Sequence, residues 1–276
     1  MPYDPAVSLR IINNARLREA QGWCEHRDLG GALVITSDAP VEDLNCLEGF
    51  TTDDRHVESL LDVGFSLLRA FDRAPAAHVT PLDRPESLGE RLQRRGLRAT
   101  DHWSTMAFAG HADTIRANDD VEVRIASPDD ARTFANVHGA GDEGWVRKMS
   151  LSSTLTGMQE PCNTFYIAYL EGQPVGVTHL ICDEGTAGIY AVGTLRAHRR
   201  RGVATALMVR AVHDAQAAGC DVIGLRTLAG GDAERLYAAL GFVPAHQSVL
   251  WTTPAAPIEP PAKRRIRRAR GAPQSA

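Results

Sequence analysis

The sequence is short of cysteine, aromatics, lysine and long apolar runs, and each shortage excludes something. Five cysteines (Cys24, Cys46, Cys162, Cys182 and Cys220) are scattered over 276 residues without a CxxC spacing. An odd, dispersed set argues against a disulfide framework or a zinc site and reads as reduced cytosolic thiols. No apolar stretch approaches the ~20 residues needed to cross a bilayer. The opening MPYDPAVSLR lacks the charged and apolar regions of a secretory signal. These absences set the expectation of a cytoplasmic protein with no metal and no membrane partner. Aromatics make up 6% of the chain, and none interleaves with the basic run from Lys263 to Arg270. That run therefore reads as a solvated tail, and nucleic acid is not an expected partner. Lysine occurs only at Lys148 and Lys263 among the 30 basic residues, a bias no local feature requires.

What is present is an ordinary globular composition, 43% hydrophobic and 23% charged. The length is nearly twice that of a typical single domain, so two domains are expected. The net charge of −4 hides an asymmetry: residues 1–253 are acidic, while the proline-rich 254–276 holds six bases against Glu259. The tail is too polar to bury a core and is expected to be disordered.

Periodicity predicts a helix from Val7 to Trp23, with Leu9, Ile12, Ala15, Leu17 and Ala20 near helical spacing. A strand follows at Ala32–Thr36, then a helix carrying Val57, Leu60, Leu61, Phe65, Leu68 and Phe71, introduced by Thr51 to Asp54. A strand at Ala77–Val79, a helix from Pro85 and a strand at Trp103–Phe108 complete the first half. Polar residues 109–120 mark the expected boundary, giving an N-terminal α/β domain at 1–110 and a second at 121–253. The second domain opens with a strand at Val121–Ile125 and a capped helix start at Ser127–Asp130, with further helix around Trp145–Leu155. A meander of Phe165–Leu170, Val175–Cys182 and Gly188–Leu195 comes next. Helices at Gly202–Ala218 and Ala233–Leu240 then alternate with strands at Asp221–Thr227 and around Val249. The fold class is mixed α/β.

Chemistry concentrates where the third meander strand runs through Arg199, Arg200, Arg201 and Gly202 into a helix opening Val203, Ala204, Thr205. A strand–loop–helix junction of this kind leaves backbone N–H groups unpaired at the helix N-terminus, where their partial positive charge suits a phosphate. Gly202 and Ala204 permit close approach, and the arginines add charge. On spacing alone a solvated turn is the alternative. The segment is neither a Walker loop nor a GxGxxG fingerprint.

Arg199-x-x-Gly202-x-Ala204, followed by Glu234-Arg-Leu-Tyr-Ala-Ala-Leu-Gly-Phe242, resembles the signature of the GNAT superfamily of acyl-CoA-dependent N-acyltransferases. The resemblance covers roughly Val121 to Thr253 and implies the mixed central sheet of that superfamily. It implies acetyl-CoA as cosubstrate, with no metal, and direct attack by an amine in a ternary complex. By the same resemblance Val192, Gly193 and Thr194 hold the pantetheine and polarise the thioester. Arg199 binds the cofactor, the amides of Arg200, Arg201, Gly202, Val203, Ala204 and Thr205 hold its pyrophosphate, and Tyr237 protonates the leaving thiolate. Packing among Leu236, Leu240 and Phe242 is the other reading of Tyr237. The family often has an asparagine seven residues before the tyrosine; Gly230 stands there. The general base is not fixed, with Asp142, Glu143, His179 and Tyr190 as candidates.

Leu92-Gln-Arg-Arg-Gly-Leu97 parallels Tyr237-Ala-Ala-Leu-Gly-Phe242, which points to a degenerate N-terminal copy of the same fold; an unrelated helix–Gly–strand unit would look similar. Leu92 replaces the tyrosine and no anion loop precedes it, so this half is expected to bind no acyl-CoA and to wall the acceptor site. The acidic body favours a cationic acceptor amine. An acyl-CoA-binding regulator without turnover is the alternative function, and homo-oligomerisation is left open.

Overall fold

The computed structural model describes residues 4–111, 115–140 and 144–254. Asp142, Glu143 and the basic tail lie outside the described residues.

The first half runs α1 (Pro5–Ala20), β1 (Glu25–Asp28), β2 (Leu33–Thr36), β3 (Leu47–Glu48), α2 (Val57–Ala70), β4 (Ala76–Val79), α3 (Leu88–Arg94) and β5 (Arg98–Phe108). The second half runs β6 (Val121–Ile125), α4 (Ala131–His138), α5 (Gly144–Gly157), β7 (Asn163–Leu170), β8 (Gln173–Asp183) and β9 (Thr186–Thr194). It closes with α6 (Val203–Ala217), β10 (Val222–Leu228), α7 (Asp232–Ala239) and β11 (Phe242–Thr252).

All eleven strands join one mixed sheet in the order β1-β2-β3-β4-β11-β5-β10-β9-β8-β7-β6. The order shows an exchange at the centre. The last strand of the first half, β5, lies antiparallel against β10, and the last strand of the second half, β11, lies antiparallel against β4. The two exchanged strands pair with each other from Phe242↔Phe108 to Thr252↔Arg98. On either side, β3–α2–β4 and β9–α6–β10 are parallel crossovers. The halves therefore share a sheet, and the linker at 109–120 separates them in sequence only.

The register explains the burial. One sheet face packs Met106, Leu180, Ile189, Leu225 and Phe242 against Val203, Leu207 and Met208 of α6 and Tyr237 of α7. Leu47, Ala77 and Trp251 pack with Leu61, Phe65 and Leu68 of α2 and Leu88 and Leu92 of α3. The opposite face carries α1, which crosses from the first half onto β9 and β10. Glycine permits that crossing: a Cβ at Gly224 would stand 2.6 Å from Ile11, and one at Gly188 would collide with Asn14. Arg10 fastens the helix, donating to Asp221 at 2.5 and 3.1 Å.

The hydrophobic spacing expected of α1 does not describe its buried face. Leu9 is exposed, whereas Ser8, Ile11, Asn14 and Glu19 are buried.

Candidate functional site

The site begins where two strands part. β9 and β10 pair only at Thr186↔Val222, Ala187↔Ile223 and Gly188↔Gly224. Beyond that point β10 turns to β5, and β9 continues along β8. Ile189 to Thr194 thus present an edge without a β10 partner. A bulge shapes this edge. His179 faces Tyr190 and Val177 faces Gly193, so Ala191 and Val192 together oppose Thr178, with Ala191 at φ 53°. A β-bulge re-aims the backbone groups of the strand that carries it. Thr178 fixes the bulge by donating its hydroxyl to the Tyr190 carbonyl at 3.0 Å. The Thr194 hydroxyl oxygen is buried without a partner.

The strand leads through a 3₁₀ turn (Arg196–His198) to α6. Arg200 (φ 62°) and Gly202 (φ 78°) are both left-handed, and alternating handedness turns successive N–H groups into a concavity suited to an anion. No side chain caps α6, so its first N–H groups keep their capacity. Asn118 backs the loop, donating to the Arg201 carbonyl at 2.9 Å and lying so close that a Cβ at Gly202 would sit 2.9 Å from its own. The three arginines differ. All three are exposed, but Arg199 turns back to the Thr194 carbonyl (3.3 Å) and Arg201 pairs with Glu171 (2.5 Å). The unpaired N–H groups at the start of α6 and the arginines before it leave this junction positively charged. Val203 is buried and Ala204 and Thr205 are half-buried at the start of the helix.

Tyr237 sits on α7, buried, with its ring 6.1 Å from that of Phe242. Burial pushes its hydroxyl up to about 12, so it holds its proton at neutral pH. The two described candidates for a base behave otherwise. Tyr190 donates to Asn14 Oδ1 at 2.7 Å and is pushed up by burial. His179 stacks on Phe165 at 4.0 Å, and burial holds it well below the usual imidazole value.

Sequence reasoning missed the groups that α1 brings against β9 and β10. Arg18 stacks over Trp23 (4.6 Å) and Tyr190 (5.3 Å), and its Nε is buried without a partner. Glu19 is buried, lies 3.8 Å from Arg226 of β10, and has Oε2 without a hydrogen bond. Burial, reinforced by the charge of Glu48, raises Glu19 to about 7 against the opposing pull of Arg226 and Arg18. Arg226 also donates to His78 Nδ1 at 3.1 Å, and His78 Nε2 lies 2.8 Å from the Ser248 hydroxyl. The signal in the sequence was a helix whose buried positions are polar. Among the described residues, no group of three or more His, Cys, Asp or Glu is placed to hold a metal ion.

A parted pair of parallel strands, a bulge on one of them and an uncapped helix after a left-handed loop define a GNAT-type acyltransferase fold. Comparisons with known proteins agree. Residues 161–244 match the family model of the acetyltransferase (GNAT) domain. No curated protein matches the chain. Among solved structures, a GCN5-related N-acetyltransferase from Kribbella flavida is similar over 91% of this chain and 96% of its own, with TM-score 0.68 and 18% identity. One from Sphaerobacter thermophilus is similar over 89% and 90%, with TM-score 0.63 and 19% identity. A tandem GNAT protein from the clavulanic acid biosynthesis pathway covers 90% of this chain and 89% of its own, with TM-score 0.63 and 13% identity. At these identities the solved structures establish the fold. GNAT domains generally use acetyl-CoA, and no helix among the described residues is long and apolar enough to cross a membrane.

Proposed function

We propose that the chain is an acetyl-CoA-dependent N-acetyltransferase that transfers an acetyl group to a primary amine by direct attack in a ternary complex. The observation that carries this reading is the parting of β9 from β10 beside an uncapped α6. The edge amides of Val192, Gly193 and Thr194 would hold the pantetheine and meet the thioester carbonyl. A backbone donor aimed at a developing oxyanion contributes about 3 kcal/mol. The loop from Arg199 to Thr205 would take the pyrophosphate on backbone N–H groups, with Arg200 as an exposed counter-charge. Acetyl-CoA supplies the activated acyl group; the amine nitrogen forms the new bond as the carbon–sulfur bond breaks. Tyr237, still protonated at neutral pH, is placed in this reading to return a proton to the thiolate. Five free cysteines support a reducing, cytoplasmic setting.

The matching order β3–α2–β4–α3–β5 and β9–α6–β10–α7–β11 supports reading residues 1–110 as a degenerate copy of the domain at 121–253. The test is acetyl-CoA titration followed by thiol release over a panel of amines, with Tyr237→Phe compared. The reading expects tight binding, release with at least one amine and a lower kcat in the variant. Binding without release would favour a CoA-responsive regulator, and unchanged kcat across pH would remove Tyr237 from the mechanism.

A further inference from the structure

Val121-Glu-Val-Arg-Ile125 has a pattern symmetric about Val123: apolar in the middle and at both ends, with one acid and one base between. It forms β6, the last strand of the sheet, and no strand lies beside its outer edge. Its pairing with β7 runs without a bulge from Val121↔Leu170 to Ile125↔Tyr166, and it contains no proline. A regular edge is a template for another strand, and proteins ordinarily blunt it with charges, prolines or bulges. Here only the two charges stand guard.

The register shows which backbone groups remain. Ala126 N–H donates to the Phe165 carbonyl at 2.7 Å. In the alternating antiparallel pattern Glu122 and Arg124 therefore bond to β7 as well, and the backbone groups of Val121, Val123 and Ile125 point outward. The Asn118 carbonyl takes Val121 N–H at 3.1 Å. Arg210 reaches the Val123 carbonyl at 3.5 Å, a long and weak bond to an oxygen that accepts two. The edge thus offers donors and acceptors at Val123 and Ile125 and an acceptor at Val121. Ile125 is 57% exposed, the most open of the large hydrophobics among the described residues. On the other face Glu122 and Arg124 pair at 2.6 Å, both more than half exposed.

We infer that two copies of this chain associate through β6, antiparallel and centred on Val123, so that the sheet of one copy continues into the other. In that register the outward groups meet. Val123 exchanges both bonds with Val123 of the second copy, and each Ile125 N–H donates to the opposite Val121 carbonyl. Glu122 of each copy stands opposite Arg124 of the other, at the closely spaced positions of the ladder where cross-strand charges interact best. Each Ile125 comes to lie beside Val121 of the other copy. Centring on Glu122 or on Arg124 would set a charge against itself, and a register between these would oppose outward groups to groups already bonded to β7. The charges that repel an unrelated strand are thus matched to a second copy. At the other end of the sheet β1 is polar throughout and has no apolar side chain to cover. β7 and β8 separate β6 from β9, so the parted strands stay open in both copies, and the inference does not depend on the acetyltransferase reading.

Sedimentation of the full chain over a range of about 1–100 μM, suited to a small interface, tests the association. The wild type is expected to pass from one chain to two. Glu122→Arg alone and Arg124→Glu alone are each expected to weaken association by about 10–100-fold, because two cross-strand attractions become repulsions. An equimolar mixture of these two variants is expected to associate again, since every cross-strand pair is once more opposite in charge. The double variant Glu122→Arg/Arg124→Glu is expected to associate as the wild type does. Thermal unfolding checks the fold of each variant, and the mixture and the double variant read the pairing even where a single reversal lowers stability. A wild type that remains a single chain at the highest concentration overturns the inference. Association that survives both reversals, which would place the contact at β1 or elsewhere, or single-reversal variants that fail to associate when mixed overturn it as well.

Discussion

Two helices in this chain begin after a sheet strand and start a parallel crossover; neither has a side-chain cap, and the turns that lead into them are built differently. At α2 the carboxylate of Asp53 accepts the backbone N–H groups of Arg55 and His56, both at 3.0 Å, and its ring partner His56 lies at 2.7 Å. At α6 the loop alternates handedness through Arg200 and Gly202, no side chain caps the helix, and arginines surround it. The first turn carries its own anion; the second, in the proposed reading, takes one from acetyl-CoA. The same contrast recurs one helix later. Leu92 on α3 is fully buried in apolar contacts, and its counterpart Tyr237 on α7 brings a hydroxyl into a similar environment. On the proposed duplication, the packing is kept in both halves, while the groups proposed to bind or react stand in one.

Changes at the aligned positions Leu92 and Tyr237 should separate packing from chemistry most sharply. Leu92→Ala deletes a fully buried side chain and should cost about 2–5 kcal/mol in denaturant unfolding. Its acetyl-CoA affinity per folded molecule should be unchanged. A Leu92→Ala protein as stable as the wild type would show that the first half contributes little to the shared sheet. Next in size is Ala204→Glu, which gives α6 the internal carboxylate that α2 already has. Acetyl-CoA affinity should fall by at least ~100-fold, since one or two charge-assisted hydrogen bonds are lost. Stability should hold or rise, because an acidic side chain in a first helical turn adds about 0.3–1 kcal/mol. Unaltered affinity would place the pyrophosphate elsewhere.

The alternating and helical patterns made most of the fold legible, because strands such as Phe165–Leu170 and helices such as α2 follow their burial closely. The loop into α6 was legible too, since Arg-x-x-Gly-x-Ala leads directly into a helix at the end of a strand. Three features were not. β3 has two residues and β1 is polar throughout, so neither gives a period to read. The exchange of β5 and β11 is a matter of partner choice, which the residues of a single strand do not specify. Most of all, α1 hides its role because Asn14, Arg18 and Glu19 face the sheet where apolar residues are the rule. The family signature in turn lies far from α1 in sequence, so no spacing rule connected Glu19 to Arg226.

The smallest expected effect tests whether a single carboxylate separates the two halves. Asp53→Asn leaves α2 with a neutral side chain at its N-terminus and removes the competitor for an incoming phosphate. The backbone around it remains unsuited to one. No residue from 50 to 56 has a positive φ, β3 ends at Glu48, and Asp54 and Glu58 keep the vicinity acidic. Calorimetric titration should therefore still give one acetyl-CoA per chain. The stability change should be slight, because Asp53 is exposed. Its sign is set by the hydrogen bonds from His56, which hold the carboxyl below its ordinary value. The wild type should exceed the variant at neutral pH, and the difference should vanish on acidification through the depressed value, where the carboxylate takes up a proton. A second acetyl-CoA bound by the variant would mean that the first half kept its cradle and that Asp53 alone keeps it shut.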